Sequence, residues 1–583
     1  MDRYRTQAQE LGPAEWAGLL VVTAAAAIGL PVWVATGAAA VVHSGRWPHL
    51  TVVATGSALT RWPAHLTDPR AAFPLQVRGL LPGPFTFYLC VLVVFAAIVM
   101  VAVTAFRLVR GVGGRRGYAR RDEVRRHLSA AAVRARGRHA RPSLSGRVDP
   151  HQVGLALGRD TRSGQRLWGS VEDSYLYLGP PRCGKGVHLI IPQTIDAPGA
   201  VLVTATRPDT LRHTFALRAA RGPVAAFDPQ NLAGDVPRLR WAPQRGCDDA
   251  LVAIGRARAL AAGAQLSAGT TTNGEFWQSM TEAVLRCYLH AAALAGRSMR
   301  DVLLWASRPT DPTPVRILRA ESMAVPGWAE ELAAQSAADP RQRDSVWAGV
   351  RRAVDSLADP RVLDACSPAD DEAFDPVAFL AGHGTLYLLG SSGAQLSVAP
   401  LVTALVEDLL EAARRVAAGV PGGRLDPPLL VLLDEAANIA PLPSLPNLLA
   451  DGGGSGITTV AVLQSLAQAR SRWGPHAADA LWDAATTKVL LGGLAQADDL
   501  SRISRLAGEI DEPTRSRTTG PGGGSVSVSM RRLPALPVER LRCLPPGRAI
   551  VLARHAAPAE ARLAPWWQRR DADVIRAAAG TSG

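Results

Sequence analysis

Short, continuously apolar runs recur along the chain from residue 174 onward, and small or polar residues follow each of them. Their apolar positions do not alternate with polar ones, which is typical of strands buried on both faces of a parallel sheet. Stretches with helical spacing separate the runs. The pattern predicts an α/β fold with a mainly parallel sheet, whose strands lie near 174–178, 200–204, 224–227, 385–389, 429–433, 457–463, 489–491 and 549–552.

An alanine-rich segment at 251–375 interrupts these runs, and its apolar residues recur at helical spacing. This spacing places them on one face of an amphipathic helix. The pattern is clearest at Phe276, Met280, Ala283, Val284, Cys287, Tyr288, Ala291 and Leu294. We expect an all-α insertion that ends before the strand beginning at Thr385.

Two uncharged stretches, 16–42 and 84–106, lie near the amino terminus. Each exceeds the roughly 20 residues that a helix needs to cross a bilayer, so both are predicted to be transmembrane helices. A cleaved signal peptide is the alternative for the first stretch. Its length and the acidic residues before it, Asp2, Glu10 and Glu15, favour a membrane span.

Arginines crowd the segment after the second span, from Arg107 to Arg147, with few acidic residues among them. Positive charge marks the cytoplasmic side of a membrane, so both termini are predicted to be cytoplasmic, with a short outer loop at 43–83. The arginines are interpreted as a collar that binds anionic lipid headgroups. Direct contact with DNA is the alternative. Residues 1–147 are thus predicted to form the membrane anchor.

The whole chain is basic, with 583 residues, a formal net charge of +14 and an isoelectric point near 10.3. Such a balance favours a polyanionic partner, either nucleic acid or an anionic membrane surface. Nearly all of the basic residues are arginines, since Lys185 and Lys488 are the only lysines. The six cysteines are scattered without zinc-ligand spacing, and we expect most of them to be apolar fillers.

Lys185 lies in a glycine-rich loop between a predicted strand and a predicted helix. In this context loop amides and the helix amino terminus bind a phosphate while the lysine reaches its outer oxygens. Gly186 replaces the usual Ser or Thr ligand of Mg²⁺, so water or another group must complete the metal shell. The predicted nucleotide-binding residues are Gly179, Pro180, Pro181, Arg182, Cys183, Gly184, Lys185, Gly186 and Val187.

Asp434 and Glu435 follow the apolar run at 429–433, where two carboxylates end a predicted buried strand. ATP hydrolysis requires this division of labour, with Asp434 as the Mg²⁺ ligand and Glu435 as the group that polarises water. Gln464 ends another strand and is predicted to sense the γ-phosphate. The simpler alternatives are a strand-to-loop boundary at Asp434–Glu435 and a polar strand cap at Gln464.

Together these motifs resemble the TraG/TraD family of coupling ATPases of bacterial conjugation and type IV secretion. The likeness covers most of residues 170–567. It is carried by Gly179–Gly186 with Ile191-Pro192, Phe276-Trp277, Leu433–Asn438, Pro443–Pro446, Gln464–Gln468, Thr487–Gly493, Gly508-Glu509 and Pro545–Gly547. The resemblance implies a RecA-like P-loop motor domain formed by 148–250 and 376–583, with 251–375 inserted between its two halves.

The resemblance also implies a hexamer in the bacterial inner membrane that binds ATP and Mg²⁺. It would recruit a relaxase bound to single-stranded DNA and drive substrate into a type IV secretion channel. Three alternatives remain: a protein-secretion receptor without DNA transport, a chromosomal translocase of the FtsK type, and a non-enzymatic scaffold. Many relatives carry an arginine finger near a turn such as 452–454, but no arginine lies between Leu425 and Ala469.

The sequence offers two arginines as substitutes for this missing finger, and one lysine lies close to the same motifs. Arg502 and Arg505, on a predicted helix after 491–493, are candidate fingers that would reach a neighbouring subunit. Lys488 is predicted to end a strand near the same motifs, where it would touch phosphate or DNA. Its alternative role is that of a cation at the start of a strand.

Overall fold

The computed structural model describes residues 13–112, 117–228, 231, 234, 236–265, 274–390, 395–520 and 523–580. The chain forms two compact units. The first joins the amino-terminal residues up to Arg116 with Ile510–Leu533, and the second comprises Gly117–Glu509 and Pro534–Gly583.

Thirteen strands lie in the described residues. They are β1 (Gly154–Asp160), β2 (Arg166–Ser170), β3 (Tyr175–Leu178), β4 (Val201–Ala205), β5 (Val224–Phe227), β6 (Thr385–Leu389), β7 (Leu429–Leu433), β8 (Ile457–Leu463), β9 (Thr487–Leu491), β10 (Glu509–Gly520), β11 (Gly523–Pro534), β12 (Arg548–Ala553) and β13 (Ala559–Arg562). All eight predicted strands are present. The sequence pattern missed β1, β2, β10, β11 and β13, most of which are more polar.

Eleven of these strands form one sheet in the second unit, in the order β2-β1-β13-β12-β9-β3-β8-β7-β4-β6-β5. The seven strands from β9 to β5 are parallel to their neighbours. The four on the other side, from β12 to β2, pair in antiparallel fashion. The prediction of a mainly parallel sheet is confirmed, with an antiparallel extension along one side.

The central strands are buried on both faces of this sheet. In β3, Leu176 and Leu178 belong to one hydrophobic core while Tyr175 and Tyr177 belong to the other. Successive side chains of a strand point to opposite faces, so a strand covered on both sides must be apolar at every position. This requirement explains the continuous apolar runs of the sequence.

Helices cover the sheet and connect its strands. In the second unit, outside the segment between β5 and β6, they are Arg121–Glu123, Ala130–Ala140, Pro150–Val153, Ile191–Asp196, Asp209–Ala219, Gln395–Ala418, Ala436–Ile439, Leu445–Asp451, Leu466–Trp473, Pro475–Ala484, Ala497–Leu506, Val538–Arg542 and Ala572–Gly580. Short turns of π-helix lie at Val124–Leu128 and Gly186–Ile190, and turns of 3₁₀-helix at Gly452–Ser455 and Trp566–Gln568.

The segment between β5 and β6 contains helices and no strand among its described residues. The helices are Ala250–Gly263, Gly274–Leu294, Met299–Ser307, Thr313–Ala320, Trp328–Ser336, Pro340–Val354, Pro360–Ala365 and Pro376–Ala381, with a 3₁₀ turn at Asp355–Ala358. Buried residues of these helices, such as Tyr288 and Trp347, belong to the same core as Leu202 of β4. The predicted helical insertion therefore shares its core with the sheet.

The first unit contains the helices Pro13–Ser44, Val52–Arg61, Leu75–Arg78 and Pro84–Val112, with 3₁₀ turns at Trp62–His65 and Pro69–Ala72, and the hairpin β10–β11. Among described residues, only Pro84–Val101 is long and apolar enough to cross a membrane. The first predicted span lies on the helix Pro13–Ser44, in which only the side chains of 29–44 are among the described ones, so the prediction for 16–42 falls largely outside them.

Residues 43–83, which are predicted to lie outside the membrane, form a small layer of short helices. Phe73, Leu81 and Phe87 are almost fully buried in its core, and the ring of Trp62 packs edge-on against Phe73 and Phe87. The aromatic residues bury enough apolar surface to order this short segment.

Part of the arginine collar is folded into the second unit rather than left free for lipid. Arg141 is buried, and its guanidinium donates a hydrogen bond of 2.8 Å to the carboxylate of Asp426. Arg134 donates to the carbonyl of Val148 at 2.8 Å. The collar residues 113–116, with Arg115 and Arg116, lie outside the described residues. The boundary between the units lies near Gly117, whereas the anchor boundary was predicted at 147, so the helices Arg121–Glu123 and Ala130–Ala140 belong to the second unit.

Candidate functional site

The glycine-rich loop leaves the carboxyl end of β3 and leads into a helical turn, Gly186–Ile190, that continues as Ile191–Asp196. Arg182 and Gly184 have φ angles of 63° and 89°. A Cβ atom at Gly184 would lie 2.6 Å from the His188 ring, so both conformation and space favour glycine there. This strand–loop–helix order is the one predicted for residues 179–187.

The Lys185 ammonium folds back across the loop. Its Nζ donates hydrogen bonds to the carbonyls of Gly179, at 2.7 Å, and Pro180, at 3.0 Å. The two residues that begin the loop are thereby tied to the lysine near its end. A flexible stem with a compact charge can make these contacts and still turn toward an anion, which a planar guanidinium does less well.

The next two strands on one side of β3, β8 and then β7, bring the other predicted residues to the same edge of the sheet. The neighbouring strand β8 ends at Leu463, whose carbonyl accepts a hydrogen bond of 3.1 Å from the Gly179 amide, and Gln464 follows it. Strand β7 lies next to β8 and ends at Leu433, directly before Asp434 and Glu435. Parallel strands end at one edge, so the sheet order assembles three separate motifs.

Asp434 is a buried carboxylate that faces the lysine. Burial raises its pKa to about 6, the charge of Lys185 opposes this shift, and the charge of Glu435 adds to it. Its backbone carbonyl accepts a hydrogen bond of 2.7 Å from the Thr204 hydroxyl of β4. Its Oδ1 is buried and has no hydrogen-bond partner within the described part of the chain.

This orphan oxygen is the observation that tests whether Mg²⁺ suits the site. A cation would satisfy Oδ1 and restore the charged form of Asp434, and carboxylate oxygen is the ligand that Mg²⁺ prefers. Gly186 supplies no side-chain oxygen. Mg²⁺ commonly keeps several waters and binds through one or two carboxylates plus phosphate oxygens, so the residues present fit the ion.

Glu435 belongs to a closed network of four side chains. Its Oε1 lies 3.5 Å from the Gln464 amide nitrogen, and its Oε2 lies 3.5 Å from that of Asn438. Gln468 donates to Asn438 at 3.3 Å and accepts from the backbone amide of Gln464 at 3.1 Å. We call these four residues the Glu435 network. Glu435 itself has a positive φ of 53°, a strained conformation typical of functional residues.

Asn438 and Gln468 were not among the predicted site residues, although both lie within the stretches that carry the family resemblance. Each follows a predicted residue by three or four positions on a helix, Ala436–Ile439 or Leu466–Trp473. That spacing returns a side chain to the same side of a helix. The helical spacing after Glu435 and Gln464 was the signal that could have found them.

The two candidate arginine fingers differ in their contacts. Arg502 forms ion pairs with Asp479, at 2.5 Å, and Asp483, at 3.7 Å, and stacks on the ring of Trp482. Arg505 is exposed and donates a 3.4 Å hydrogen bond to the Ser501 carbonyl. Arg502 is held within its own subunit, whereas Arg505 has no acidic partner among the described residues.

The glycine turn at 452–454 does have an arginine beside it. This is Arg424, which directly precedes the arginine-free interval from Leu425 to Ala469. Arg424 donates to the carbonyl of Gly454 at 3.2 Å and to the Glu172 carboxylate at 2.6 Å. Both contacts lie near the amino ends of the strands, at the edge opposite the phosphate loop. Arg424 therefore braces the turn in this subunit.

Lys488 lies at the start of β9, not at the end of a strand as one prediction had it. Its Nζ donates to the carbonyl of Ala485 at 2.6 Å and lies 5.1 Å from the centre of the Trp482 ring. Burial lowers the pKa of its ammonium. The structure does not bring Lys488 to the phosphate loop, and its contacts are those of a cation at a strand start.

Residues 428–546 match the family model described as the TraM recognition site of TraD and TraG. This match covers β7 with Asp434 and Glu435, β8 with Gln464, and the Glu435 network. No protein with a curated description matches the sequence significantly.

Several solved structures share the fold. They include the bacterial conjugative coupling protein TrwBdeltaN70 in an unbound form, with 18% sequence identity, a TM-score of 0.53 and coverage of 75% of this chain and 92% of that chain. The plasmid coupling protein TrwB with the ATP analogue ADPNP matches with 19% identity, a TM-score of 0.53 and the same coverage of 75% and 92%. TrwB with ADP and Mg²⁺ matches with 18% identity, a TM-score of 0.50 and coverage of 75% and 92%. At these identities the likeness establishes the RecA-type fold.

Proposed function

We infer that this TraG/TraD-type chain is a membrane-anchored coupling ATPase that uses ATP hydrolysis to drive a substrate into a type IV secretion channel. One observation carries the proposal. Three separate motifs, which follow the carboxyl ends of β3, β8 and β7, meet at one edge of the sheet. Lys185 lies near Asp434, and Gln464 lies beside Glu435. The match of residues 428–546 to the family model of TraD and TraG supports the proposal that the ATPase is a coupling protein.

Each of these residues has a role in the proposed reaction. Lys185 and the amides of 179–187 would hold the phosphates of ATP, and Asp434 would hold Mg²⁺, which neutralises charge that develops on the phosphates. Glu435 accepts a proton from the attacking water, and the Asn438 amide beside its carboxylate fixes its orientation. Gln464 contacts the same carboxylate and directly follows β8. We propose that it senses whether the γ-phosphate is present and transmits this to the rest of the motor.

The anchor is proposed to cross the inner membrane twice, with spans near 16–42 and 84–106 and both termini in the cytoplasm. The helix Pro84–Val112 supports this proposal because its large apolar side chains, including Leu92, Phe95 and Met100, are mostly exposed. The helix Pro13–Ser44 packs against it. Labelling of single cysteines introduced at Ser57 and Ser345 tests the topology. Only the first should react with an impermeant reagent outside spheroplasts.

Substrate recognition is assigned to the helical segment 251–375 and to the matched segment 428–546. TraD and TraG are described as carrying a TraM recognition site there, and we propose that this chain likewise docks a protein of the DNA-processing complex. The proposed cargo is relaxase-bound single-stranded DNA, which suits the net charge of +14. The motor, 148–250 with 376–583, is proposed to act as a homo-hexamer, with Arg505 the better-placed finger.

The test is ATP hydrolysis by the full-length protein in detergent, measured with and without single-stranded DNA. Wild type should turn over ATP, and DNA should raise the rate. Lys185→Ala should lose turnover together with nucleotide binding at the phosphate loop. Glu435→Gln should bind ATP but hydrolyse it at least about 100-fold more slowly, since general-base catalysis contributes about that much.

A matched variant separates this effect from a change of charge. Glu411→Gln removes an exposed carboxylate from the helix Gln395–Ala418 and should leave turnover unchanged. Absence of turnover in every condition would overturn the ATPase proposal. Turnover that ignores DNA would instead favour a protein-secretion receptor.

A further inference from the structure

A cavity of about 650 Å³ lies in the motor unit, between the helix Ile191–Asp196, the antiparallel strands β1 and β13, and the segment after β13. His188, in the helical turn that follows the phosphate loop, also lines it. Leu155 and Leu430 line its apolar wall, and the Gln193 side chain contributes to its polar wall. We call it the basic cavity. Its volume is in the range of small-molecule sites.

Five arginines line the basic cavity: Arg159, Arg166, Arg562, Arg569 and Arg570. Three of them form a row across neighbouring strands. Arg562 of β13 is directly opposite Arg159 of β1, and Arg159 is directly opposite Arg166 of β2. Directly opposite residues share one face of a sheet, so three guanidinium groups stand side by side on the cavity wall.

This row of arginines has only weak contacts with the protein: Arg159 donates a 3.4 Å hydrogen bond to the Gly164 carbonyl, and the Arg166 guanidinium lies 5.8 Å from the centre of the Trp168 ring. Like charges directly opposite each other destabilise a sheet. Among the described residues, no carboxylate lies within the 4.0 Å ion-pair limit of Arg159, Arg166, Arg562 or Arg570. Burial, together with the charges of Arg159, Arg569 and Arg570, lowers the pKa of Arg166, and the charge of Asp196 opposes this shift. The site therefore concentrates positive charge.

Arg569, in the same wall, differs from the row because carboxylates pair with its guanidinium. It makes two hydrogen bonds of 2.7 Å to Asp196 and further bonds to Asp571. His151 also contacts Asp196, at 3.3 Å. The two acids of the cavity are thus occupied by Arg569 and His151. The charge of Asp196 also acts on Arg166, but neither acid forms an ion pair with Arg562, Arg159 or Arg166 among the described residues.

We propose that the basic cavity binds a nucleotide-sized organic phosphate, distinct from the ATP held by the Lys185 loop. Guanidinium groups recognise phosphate through paired hydrogen bonds, and the apolar wall suits an organic body. A volume of about 650 Å³ is in the range of sites that hold small organic ligands, which favours a mononucleotide over a DNA strand. The cavity includes Pro428 and Leu430, at the amino end of β7, whereas Asp434 follows its carboxyl end.

The probe is ATP, and the experiment uses full-length Lys185→Ala so that the phosphate loop does not contribute. Binding is followed by equilibrium dialysis and by the rise in Tm. We expect saturable ATP binding that becomes at least about tenfold weaker in Lys185→Ala with Arg159→Ala and Arg562→Ala, because two phosphate contacts are lost. Without ligand, this triple variant should be no less stable than Lys185→Ala, since the opposed charges are gone.

The matched control adds Arg341→Ala and Arg351→Ala to Lys185→Ala. Both arginines are exposed on the helix Pro340–Val354, far along the chain from the cavity, so ATP binding should not change. The proposal is overturned if Lys185→Ala binds no ATP saturably, or if the cavity variant binds ATP as well as the control. It is also overturned if the cavity substitutions weaken binding of an oligodeoxythymidylate but not of ATP. These readouts do not require hydrolysis, so failure of the ATPase proposal would leave them interpretable.

Discussion

The amide nitrogen of Gln464 lies 3.5 Å from Oε1 of Glu435, although 28 residues separate them along the chain. The contact joins the ends of β8 and β7, which are adjacent in the sheet. A change at one strand end is therefore transmitted directly to the carboxylate on the next. In a motor that hydrolyses ATP, such a contact couples the proton acceptor to a strand that runs through the core.

Replacing Gln464 with alanine should slow turnover without weakening nucleotide binding. The amide contacts Glu435, so its loss affects the reacting arrangement more than the ground state. We expect kcat to fall by about 10- to 100-fold with KM little changed. Steady-state hydrolysis measures both constants.

Gln278→Ala is the matched control for this prediction. Gln278 also donates an amide hydrogen bond to a carboxylate, Glu282 at 3.1 Å, but within the helical insertion. Its kcat should equal that of wild type. If Gln464→Ala raises KM alone, the amide acts in binding and the predicted role is wrong.

Replacing Lys185 with arginine should not preserve nucleotide binding. Lys185 makes two hydrogen bonds to the loop carbonyls of Gly179 and Pro180 with one compact ammonium, and a planar fork cannot occupy the same space. We expect the affinity for a fluorescent ATP analogue to fall by at least about tenfold.

The chain offers one natural comparison, because Lys488 is its only other lysine. Lys488→Arg keeps a cation that can stack on Trp482, so nucleotide affinity and Tm should stay close to wild type. Equal affinity of the two arginine variants would contradict the role given to Lys185.

The buried carboxyl of Asp434 should make stability depend on pH. Its folded pKa of about 6 lies above the ordinary value of 3.8, so the folded state holds the proton more tightly than the unfolded state. Its contribution to stability is then complete below about pH 4 and is lost as pH rises to about 6. The loss is about 3 kcal/mol at most, at 1.36 kcal/mol for each unit of pKa.

Thermal unfolding in the presence of EDTA, compared between wild type and Asp434→Asn, isolates this contribution. The wild type should lose stability relative to the variant between pH 4 and 6, and Mg²⁺ with ATP should restore it above pH 6. Nucleotide binding with Mg²⁺ should weaken as pH falls through about 6. Parallel pH profiles for the two proteins would show that Asp434 does not titrate in this range.

Two adjacent glycines should differ sharply in their tolerance of alanine. A Cβ atom at Gly453 would lie 2.1 Å from the carbonyl oxygen of Glu172, whereas one at Gly454 would meet nothing within 4 Å. Gly453→Ala should destabilise the protein by about 1–3 kcal/mol through this clash, and Gly454→Ala should have little effect. Comparison of their Tm values tests the prediction, and equal values would contradict the close packing of this turn.

The sequence alone determined the parallel half of the sheet and the ends of its strands. Strands buried on both faces must be apolar throughout, so the strands numbered β3 to β9 could be predicted from continuous apolar runs. The motif around Lys185 and the carboxylates after β7 were visible because phosphate chemistry restricts both residue type and spacing. The antiparallel strands β1, β2 and β13 were not, since their mixed polarity resembles that of loops.

Only the tertiary structure decided which distant residues meet. Sheet order places Gln464 beside Glu435, and helical geometry adds Asn438 and Gln468, none of which is fixed by distance along the chain. The tertiary structure also pairs Arg502 with Asp479 and aligns Arg562, Arg159 and Arg166 across three strands. Buried strands and phosphate-binding motifs can be predicted from sequence because each is defined by a few consecutive residues. Charge partners and cross-strand register depend on which segments pack together.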